Sequence, residues 1–273
     1  MSEFFTGYDP TLERRDEIAN SSTPMLFTMR DFRAPDEIDP RKLIRHDDQG
    51  NMGSCGGHGN TNAAEYVWAL SDGQYSEGKQ LSRLFAYLEA QRFDGLLGRD
   101  AGSTISGGLK VGKDVGYLEE KHLKYATPYP NNARSLITDS MRKLAEPFKI
   151  RSHTWLESYD GIYQYIASGA GACFVGTIWN NSFYASGGVL ESISLRNGGG
   201  HAYCFAGYSR RKDSRGRNYI WRKNSHSNDN WTEIAPSVID ALCKHQYTSI
   251  VGMSDLSTPG PRKMDWIKER PLG

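Results

Sequence analysis

The sequence predicts an α+β fold of two lobes, in which a helical first half is followed by a strand-rich second half. Apolar residues recur at helical spacing after residue 55, as in the run AAEYVWAL over residues 63–70. From residue 172 onward, short runs of β-branched and aromatic residues alternate with clusters of glycine, asparagine and serine, which is typical of strands joined by turns. A helical lobe is therefore expected over about 45–145 and a strand-rich lobe over about 146–255.

Three helices are predicted in the helical lobe, after an irregular lead-in over residues 25–48. The first begins near Cys55, where a glycine-rich run passes into NTNAAEYVWAL. The second covers LSRLFAYLEAQRF, and the third covers GGLKVGKDVGYLEEKHL. Two prolines in TPYP end this half of the chain, and a short helix follows around Ser135–Glu146.

Four β-prone runs follow in the second half: ACFVGTI, GGVLESISL, HAYCFAGY and RNYIWRKN. The charged run SRRKDSRGR at residues 209–217 lies between the last two. It is predicted to be a long solvated hairpin loop, with contact to an acidic partner as the alternative. Residues 1–24 and 256–273 are expected to be an N-terminal extension and a C-terminal tail around a domain over 25–255.

Composition excludes several classes of function. The 273 residues are 38% hydrophobic and 24% charged, as in a globular protein large enough to bury a core. A formal net charge of +1 provides no general attraction to nucleic acid or to an anionic membrane, and no run of about 18 apolar residues predicts a membrane helix. The first 24 residues lack the apolar core of a secretory signal, so a cytoplasmic or otherwise intracellular location is expected.

Cys55 differs from the other three cysteines in its surroundings. Cys173 and Cys204 lie in strand-like apolar runs and Cys243 in a helical pattern, so these three are predicted to be small buried hydrophobes. The chain has no CxxC spacing and too few cysteines for a disulfide scaffold. Cys55 instead lies between glycines at the expected start of a helix, where unpaired backbone N–H groups and the helix dipole favour a thiolate.

A thiolate nucleophile needs a base, and the base needs a third group that orients it. His201 lies in the run GGGHAYCFAGY and Asn224 in the run YIWRKNSH. Each is a polar residue at the edge of a strand-like segment, from which a rigid element can hold it toward a cleft. Cys55, His201 and Asn224 are therefore the candidate catalytic residues.

Three motifs around these residues resemble those of the papain-like cysteine peptidases. QGNMGSC at residues 49–55 is similar to that family's QGxCGSC. The GHA sequence at 200–202 with the later Gly-Tyr pair is similar to the family's GHAxxxxGY, and WRKNS at 221–225 is similar to its WxxKNSW. The 146 residues that separate Cys55 from His201 lie inside the roughly 130–150 expected of this family. The resemblance covers roughly residues 25–253.

The resemblance implies a helical N-terminal lobe, an antiparallel β-barrel-like C-terminal lobe and an active-site cleft between them. It implies that Cys55 attacks the scissile carbonyl, that His201 carries the proton to the leaving amine, and that Asn224 orients His201. Gln49 and the backbone N–H of Cys55 would form the oxyanion hole. The expected substrate-binding residues are Gly102 and Ser103 through their backbone, Ala202 in a specificity pocket, and Trp231.

The sequence departs from the family pattern at three positions and at its N-terminus. Gly56 stands where the family has tryptophan, Met52 where it has a disulfide-bonded cysteine, and His226 where it has a second tryptophan. Trp231 is expected to take over part of the shielding that this second tryptophan provides to the Asn–His hydrogen bond. Only about 24 residues precede the matching region, too few for a separately folded inhibitory domain. The enzyme is therefore expected to be synthesised in an active form, or to be controlled by a partner or by its location.

The predicted function is a cysteine endopeptidase that cleaves polypeptide through an acyl-enzyme and needs no cofactor. Two alternatives remain: an amidase or transglutaminase-like acyl transferase with the same triad, and a catalytically weak or inactive papain-fold component with a structural or peptide-binding role in a larger assembly. His58, His201 and His226 also raise a zinc site, although no HExxH motif supports one. The expected partners are a polypeptide substrate and a regulatory or assembly partner in place of a propeptide, and neither nucleic acid nor a membrane.

Overall fold

The computed structural model describes residues 7–24, 34–72, 80–185 and 187–256. Within these ranges helices dominate before residue 150 and a seven-stranded sheet follows, which confirms the predicted α+β class. Residues 1–6, 25–33 and 257–273, which include most of the predicted C-terminal tail, lie outside the described residues. No helix in the described part of the chain is long and apolar enough to cross a membrane.

The helices are α1 (Arg15–Asn20), α2 (Cys55–Asp72), α3 (Arg83–Asp94), α4 (Ile105–Lys110), α5 (Ala133–Leu136), α6 (Asp139–Ala145), α7 (Tyr159–Ala167) and α8 (Pro236–Lys244). The strands are β1 (Ile150–Trp155), β2 (Gly171–Trp179), β3 (Val189–Leu190), β4 (Gly199–Lys212), β5 (Asn218–His226), β6 (Asp229–Ile234) and β7 (Ser249–Leu256). The main core lies between α2 and the sheet, where Tyr66, Phe174 and Phe205 are fully buried.

The strands form one open sheet in the order β1-β7-β2-β4-β5-β6-β3. Neighbouring strands are antiparallel, apart from the parallel pair β3 and β6. Helix α2 lies across β4, β2 and β7. A Cβ at Gly59 would lie 3.0 Å from the backbone N, Cα and O of Tyr203 in β4, so glycine is needed for the helix to come this close. This contact sets the start of α2, and Cys55 with it, against β4.

The helices predicted at Cys55 and at residues 81–93 are confirmed, but the third prediction was wrong in length. α4 ends at Lys110, one π-helical turn covers Val111–Val115, and the chain then turns at Gly116 with φ 96°. A Cβ at Gly116 would lie 2.1 Å from the carbonyl oxygen of Ala145. The helix therefore ends where a segment distant in sequence packs against it, which a local apolar pattern does not reveal.

Two further elements are shorter than the sequence predicts. GGVLESISL forms only the two-residue strand β3, because the Asn180 side chain donates to two carbonyl groups further along and holds that segment as a loop. The helix predicted around Ser135–Glu146 is split into α5 and α6, and the Thr138 hydroxyl caps the second. The long hairpin loop predicted at 209–217 is shorter than expected: residues 209–212 belong to β4, and only residues 213–217 form the turn between β4 and β5.

A buried ion network joins the loop before α2 to α2, α3 and β5. The Arg83 guanidinium donates to both oxygens of Glu65, with 2.9 Å to Oε2, and lies 3.4 Å from Asp47 Oδ2. The Lys223 ammonium pairs with Asp47 and donates to the Asn224 carbonyl oxygen at 2.8 Å. Burial alone would raise the pKa of Asp47, but Lys223 and the other nearby cations hold that pKa well below its usual range. These four ionised side chains therefore hold the loop before α2, the helices α2 and α3, and strand β5 together.

Replacing Asp47 with asparagine is expected to lower the free energy of unfolding by about 3–5 kcal/mol, because the fully buried Lys223 ammonium loses its counter-charge. Urea denaturation at neutral pH measures the change. The control is Asp139→Asn, which alters an ion pair whose carboxylate is 89% exposed and should cost about 0.5 kcal/mol or less. Equal effects of the two substitutions would contradict the structural role given to Asp47.

Candidate active site

Cys55 is the first residue of α2 and is fully buried. Burial raises the pKa of its thiol to about 11, while backbone hydrogen bonds from Ala202, Gly7 and Gly56 act in the opposite direction. Ala202 follows His201 in β4, so this contact brings the start of the helix beside the strand that carries the histidine. In the arrangement seen here the sulfur is a neutral thiol covered by other residues.

His201 makes one hydrogen bond that determines its tautomer. Its Nε2 lies 2.7 Å from Asn224 Oδ1. Because an amide oxygen can only accept, Nε2 carries the hydrogen and Nδ1 has a free lone pair. Nδ1 is buried and has no hydrogen-bond partner among the described residues. Burial, followed by the neighbouring His226, lowers the pKa of His201 well below its usual value, and the bond to Asn224 opposes this shift.

The Asn224 amide is oriented by contacts on both of its ends. Its Oδ1 also accepts from the backbone N–H of Ser225 at 2.8 Å, and its Nδ2 donates to Asp229 Oδ2 at 3.1 Å. The Arg222 guanidinium donates to the same Asp229 oxygen at 2.6 Å. These contacts keep the oxygen of Asn224 directed at His201, as the sequence predicts for this residue. Asp229 and Arg222 were not identified from the sequence, where neither belongs to a recognisable pattern.

Gln49 lies in the loop before α2 and is fully buried. Its backbone N–H donates to the Ser225 carbonyl oxygen at 2.9 Å, and its Oε1 accepts from the Ser225 hydroxyl at 2.6 Å. Its Nε2 donates to the Met52 carbonyl oxygen at 2.9 Å, which uses one of the two amide hydrogens. Gln49 is thereby tied to the residue next to Asn224, and one amide hydrogen remains for a further acceptor.

Residues 7 and 8 of the chain lie between Ser103, which was predicted to bind a substrate backbone, and Gly200 in β4. The Gly7 carbonyl oxygen accepts from the Ser103 N–H at 2.8 Å, and the Tyr8 N–H donates to the Gly200 carbonyl oxygen at 3.2 Å. Tyr8 pairs in a strand-like manner with both Ser103 and Gly200. A Cβ at Gly7 would lie 1.7 Å from the Gly53 carbonyl oxygen, so the segment fits only because this residue is glycine.

The following residues fasten this segment to the helical lobe. Glu13 accepts from the N–H groups of Ile105 and Ser106 at 2.8 and 2.9 Å. Arg14 pairs with Asp94 at 3.2 Å. That residues 7 and 8 of the predicted extension lie beside Cys55 was not foreseen from the sequence.

Aromatic rings pack around His201. The Trp179 ring lies 4.4 Å from the His201 ring, and His226 stacks on it at 4.8 Å with an angle of 19° between the rings. Trp231, predicted to shield this histidine, instead contacts Trp221 at 6.5 Å and the Lys223 ammonium at 5.9 Å. That expectation was wrong, because β2 ends with Trp179 beside the histidine.

The three histidines considered for a zinc site do not converge. His58 hydrogen-bonds the Ser54 carbonyl oxygen and contacts the Tyr125 ring at 4.6 Å, within the helical lobe. Burial lowers the pKa of His58 to about 4. Across the described ranges, no group of three or more histidine, cysteine, aspartate or glutamate side chains is arranged to hold a metal ion.

No family model matches this sequence, and a comparison with curated proteins also gave no match. Solved structures do match. Xylellain, a cysteine protease from Xylella fastidiosa, has a TM-score of 0.66 and 22% identity, and the match covers 89% of this chain and 98% of that one. Procathepsin L 3 from the larval midgut of Tenebrio molitor has a TM-score of 0.64 and 18% identity, over 86% of this chain and 74% of that one.

The bromelain protease from Ananas comosus, in complex with the inhibitor E64, has a TM-score of 0.55 and 16% identity, over 81% of this chain and 99% of that one. Helical and strand-rich parts therefore follow each other in the same arrangement in all these proteins. Since the identities are below 25%, the likeness concerns the fold.

Gly7→Ala is expected to expose the thiol of Cys55. The added methyl group would overlap the Gly53 carbonyl oxygen, so the segment must leave its place. Alkylation of Cys55 by iodoacetamide should become at least about tenfold faster, which corresponds to a shift of about 1.4 kcal/mol in the opening equilibrium. Peptide mapping by mass spectrometry separates Cys55 from the other cysteines. Thr11→Ala, in an exposed part of the same segment, is the control, and equal rates for the two variants would contradict the covering role.

His226→Phe is expected to make the protein less sensitive to acid. Burial lowers the pKa of His226, so the unfolded chain binds a proton near pH 6.5 that the folded state does not, and stability falls as the pH falls. Between pH 7.5 and 5.5 the variant should lose less stability than the original protein, by at most about 1.4 kcal/mol. Urea denaturation at both pH values measures this. Asn181→Ala removes an exposed side chain that does not titrate, and it should leave the pH dependence unchanged.

Proposed function

Because the chain has a papain-like cysteine peptidase fold, we propose that it is a cysteine peptidase that hydrolyses peptide bonds through Cys55 and His201. The observation that carries this proposal is the tautomer of His201. The Nε2–H group of His201 donates to Asn224, and the Nδ1 lone pair has no partner among the described residues. His201 lies in β4, the strand that contacts the first residue of α2, Cys55. A structural histidine of this burial would be expected to use both ring nitrogens.

The reaction begins with transfer of the thiol proton from Cys55 to Nδ1 of His201. The thiolate attacks the scissile carbonyl carbon, and the carbonyl oxygen takes the negative charge. The backbone N–H of Cys55 and the second Nε2 hydrogen of Gln49 are the donors proposed for this oxyanion. His201 then gives its proton to the leaving amine as the C–N bond breaks. In the second half, His201 takes a proton from water, the resulting hydroxide attacks the thioester, and Cys55 leaves as the thiolate.

This chemistry requires the N-terminal segment to leave the cleft. With Gly7 in place the sulfur is buried and its pKa is about 11, which leaves little thiolate at neutral pH. Departure of the segment would admit water and peptide to the sulfur. The arrangement seen here is therefore proposed to be a resting form. Control by a separate partner stays a prediction. Such a partner would act by displacing residues 7 and 8 from the site.

The test is labelling and turnover by the full chain carrying Gly7→Ala. An epoxysuccinyl peptide in limiting amount should add once, at Cys55, as measured by intact mass and peptide mapping. The same variant should hydrolyse an unfolded protein substrate, and Cys55→Ala should abolish both activities. His201→Ala should lower kcat/KM by about 10²–10⁴-fold, the usual contribution of a positioned acid–base group.

The controls distinguish the proposal from its alternatives. Asn218→Ala removes an amide on the same strand as Asn224 that lies outside the site, and it should leave kcat/KM unchanged if the protein remains folded. Aminolysis that outcompetes hydrolysis when an amine acceptor is added would identify an acyl transferase. Absence of both labelling and turnover in a folded, reduced Gly7→Ala protein would contradict the enzymatic proposal and favour a structural or peptide-binding component.

A further inference from the structure

One peptide unit in the loop before α2 is held at both of its ends. The carbonyl group of Met52 and the N–H group of Gly53 belong to the same planar unit. The carbonyl oxygen accepts from Gln49 Nε2 at 2.9 Å. The N–H donates to the Asp100 carboxylate, at 3.0 Å from Oδ1 and 3.1 Å from Oδ2. Because the unit is planar, the direction of the N–H also fixes the direction of the carbonyl, and Asp100 is thereby connected to the Gln49 amide.

The residue after this peptide unit is a glycine, which makes its orientation easy to change. Glycine adopts positive and negative φ about equally well, so the unit before Gly53 can rotate by roughly 180° at little steric cost. The φ angle of Gly53 is not in the left-handed region in this structure. In the rotated form the Met52 oxygen would face away from Gln49. The hydrogen bond from the Gly53 N–H to Asp100 opposes this rotation, because a bond to a carboxylate is about twice as strong as a neutral one.

Asp100 is itself held by side chains of helix α3. The Tyr87 hydroxyl donates to Asp100 Oδ1 at 2.7 Å and accepts from the Gly102 N–H at 3.0 Å. Gln91, one turn further along α3, donates through Nε2 to the carbonyl oxygens of Arg99 and Gly102, both at 3.0 Å. Tyr87 and Gln91 are fully buried. The segment that carries Asp100 and the predicted substrate-binding residue Gly102 is therefore fixed to the helical lobe.

The loop before α2 has no covalent tie that could orient this peptide unit instead. Met52 stands where papain-like peptidases have a disulfide-bonded cysteine, and all four cysteines of this chain are free. The Met52 side chain is buried in a cluster with Leu84 and Leu88 of α3. Apolar packing of this kind is non-directional, so it anchors the loop without selecting a direction for the carbonyl. The two polar partners, Gln49 and Asp100, select that direction.

We propose that Asp100 is a positioning residue of the peptidase site: by holding the Met52–Gly53 peptide, it keeps the second Nε2 hydrogen of Gln49 directed at the oxyanion. This inference rests on the proposed function, in which Gln49 is an oxyanion donor. The other end of the Gln49 amide is held by the Ser225 hydroxyl, at 2.6 Å from Oε1. With both ends held, the second Nε2 hydrogen has one direction. With the Met52 carbonyl turned away, the amide plane is free to turn about its bond to Ser225.

The first test does not depend on turnover. In the full chain with Gly7 unchanged, hydrogen exchange of the Gln49 side-chain amide is followed by NMR, and its resonances are identified by their loss in Gln49→Ala. Asp100→Ala should speed this exchange at least about tenfold, because the bond to the Met52 oxygen becomes intermittent. The matched control is Asp48→Ala, which removes a hydrogen bond of 2.9 Å between a carboxylate and the Gly50 N–H in an exposed part of the same loop. An exchange rate that is equal in Asp100→Ala, in Asp48→Ala and in the original protein would overturn the inference.

The second test compares two reactions of Cys55 in the Gly7→Ala background. Hydrolysis passes through an oxyanion, whereas alkylation by iodoacetamide does not. Asp100→Ala should therefore lower kcat/KM about tenfold to a hundredfold, against about 10²–10³ for loss of an oxyanion donor, and change the alkylation rate by less than about twofold. Asp100→Asn keeps an oxygen that can accept from Gly53, so its effect should be smaller, and it replaces the alanine variant if that one does not fold. Asp48→Ala should change neither rate.

Combination with Gln49→Ala separates positioning from a general structural effect. If Asp100 acts through Gln49, adding Asp100→Ala to Gln49→Ala should change kcat/KM by less than about twofold. Full additivity, or a loss of alkylation that parallels the loss of hydrolysis, would overturn the inference. Hydrolysis that is unaffected by Asp100→Ala would refute it and leave the proposed function standing. Absence of hydrolysis by the Gly7→Ala protein itself would contradict the proposed function, and the exchange of the Gln49 amide would then decide whether Asp100 orients it.

Discussion

The close contact between helix α2 and strand β4 is the constraint on which the site depends. The helix backbone at Gly59 lies so close to the backbone of Tyr203 that a Cβ at position 59 would be only 3.0 Å from it. With the helix at this distance, its first residue, Cys55, reaches the backbone of Ala202, and the neighbouring His201 is brought to the same end of the helix. Cys55 at a helix start and Ala202, the neighbour of His201 on a strand, come into contact because the two backbones approach closely there.

Hydrogen bonds around Gln49 and Asn224 determine the orientation of the His201 side chain. Gln49 is bound to Ser225 through both its backbone and its side chain, and Asn224 is held between the Ser225 N–H and Asp229. In a buried environment an unpaired polar group is costly, so each of these partners removes an alternative orientation. The result is a single tautomer of His201, whose Nδ1 has no hydrogen-bond partner among the described residues.

The N-terminal segment is bound to backbone groups beside Cys55. Ser103, which was predicted to bind substrate, donates to Gly7, the Gly200 carbonyl oxygen accepts from Tyr8, and Glu13 fastens the segment to the start of α4. A cleft filled in this way exposes no reactive thiolate, because burial keeps the proton on Cys55.

Spacing and local pattern were enough to predict the α+β class, the helix that begins at Cys55, strands β2, β4 and β5, and the candidate residues Cys55, His201, Asn224 and Gln49. Three contacts could be found only in the folded chain: Trp179 and not Trp231 packs on His201, Asp229 orients Asn224, and Gly7 and Tyr8 lie beside Cys55. Each depends on a contact between segments far apart in the chain. Such contacts follow from how whole elements pack, and a local pattern of residues contains no record of that packing.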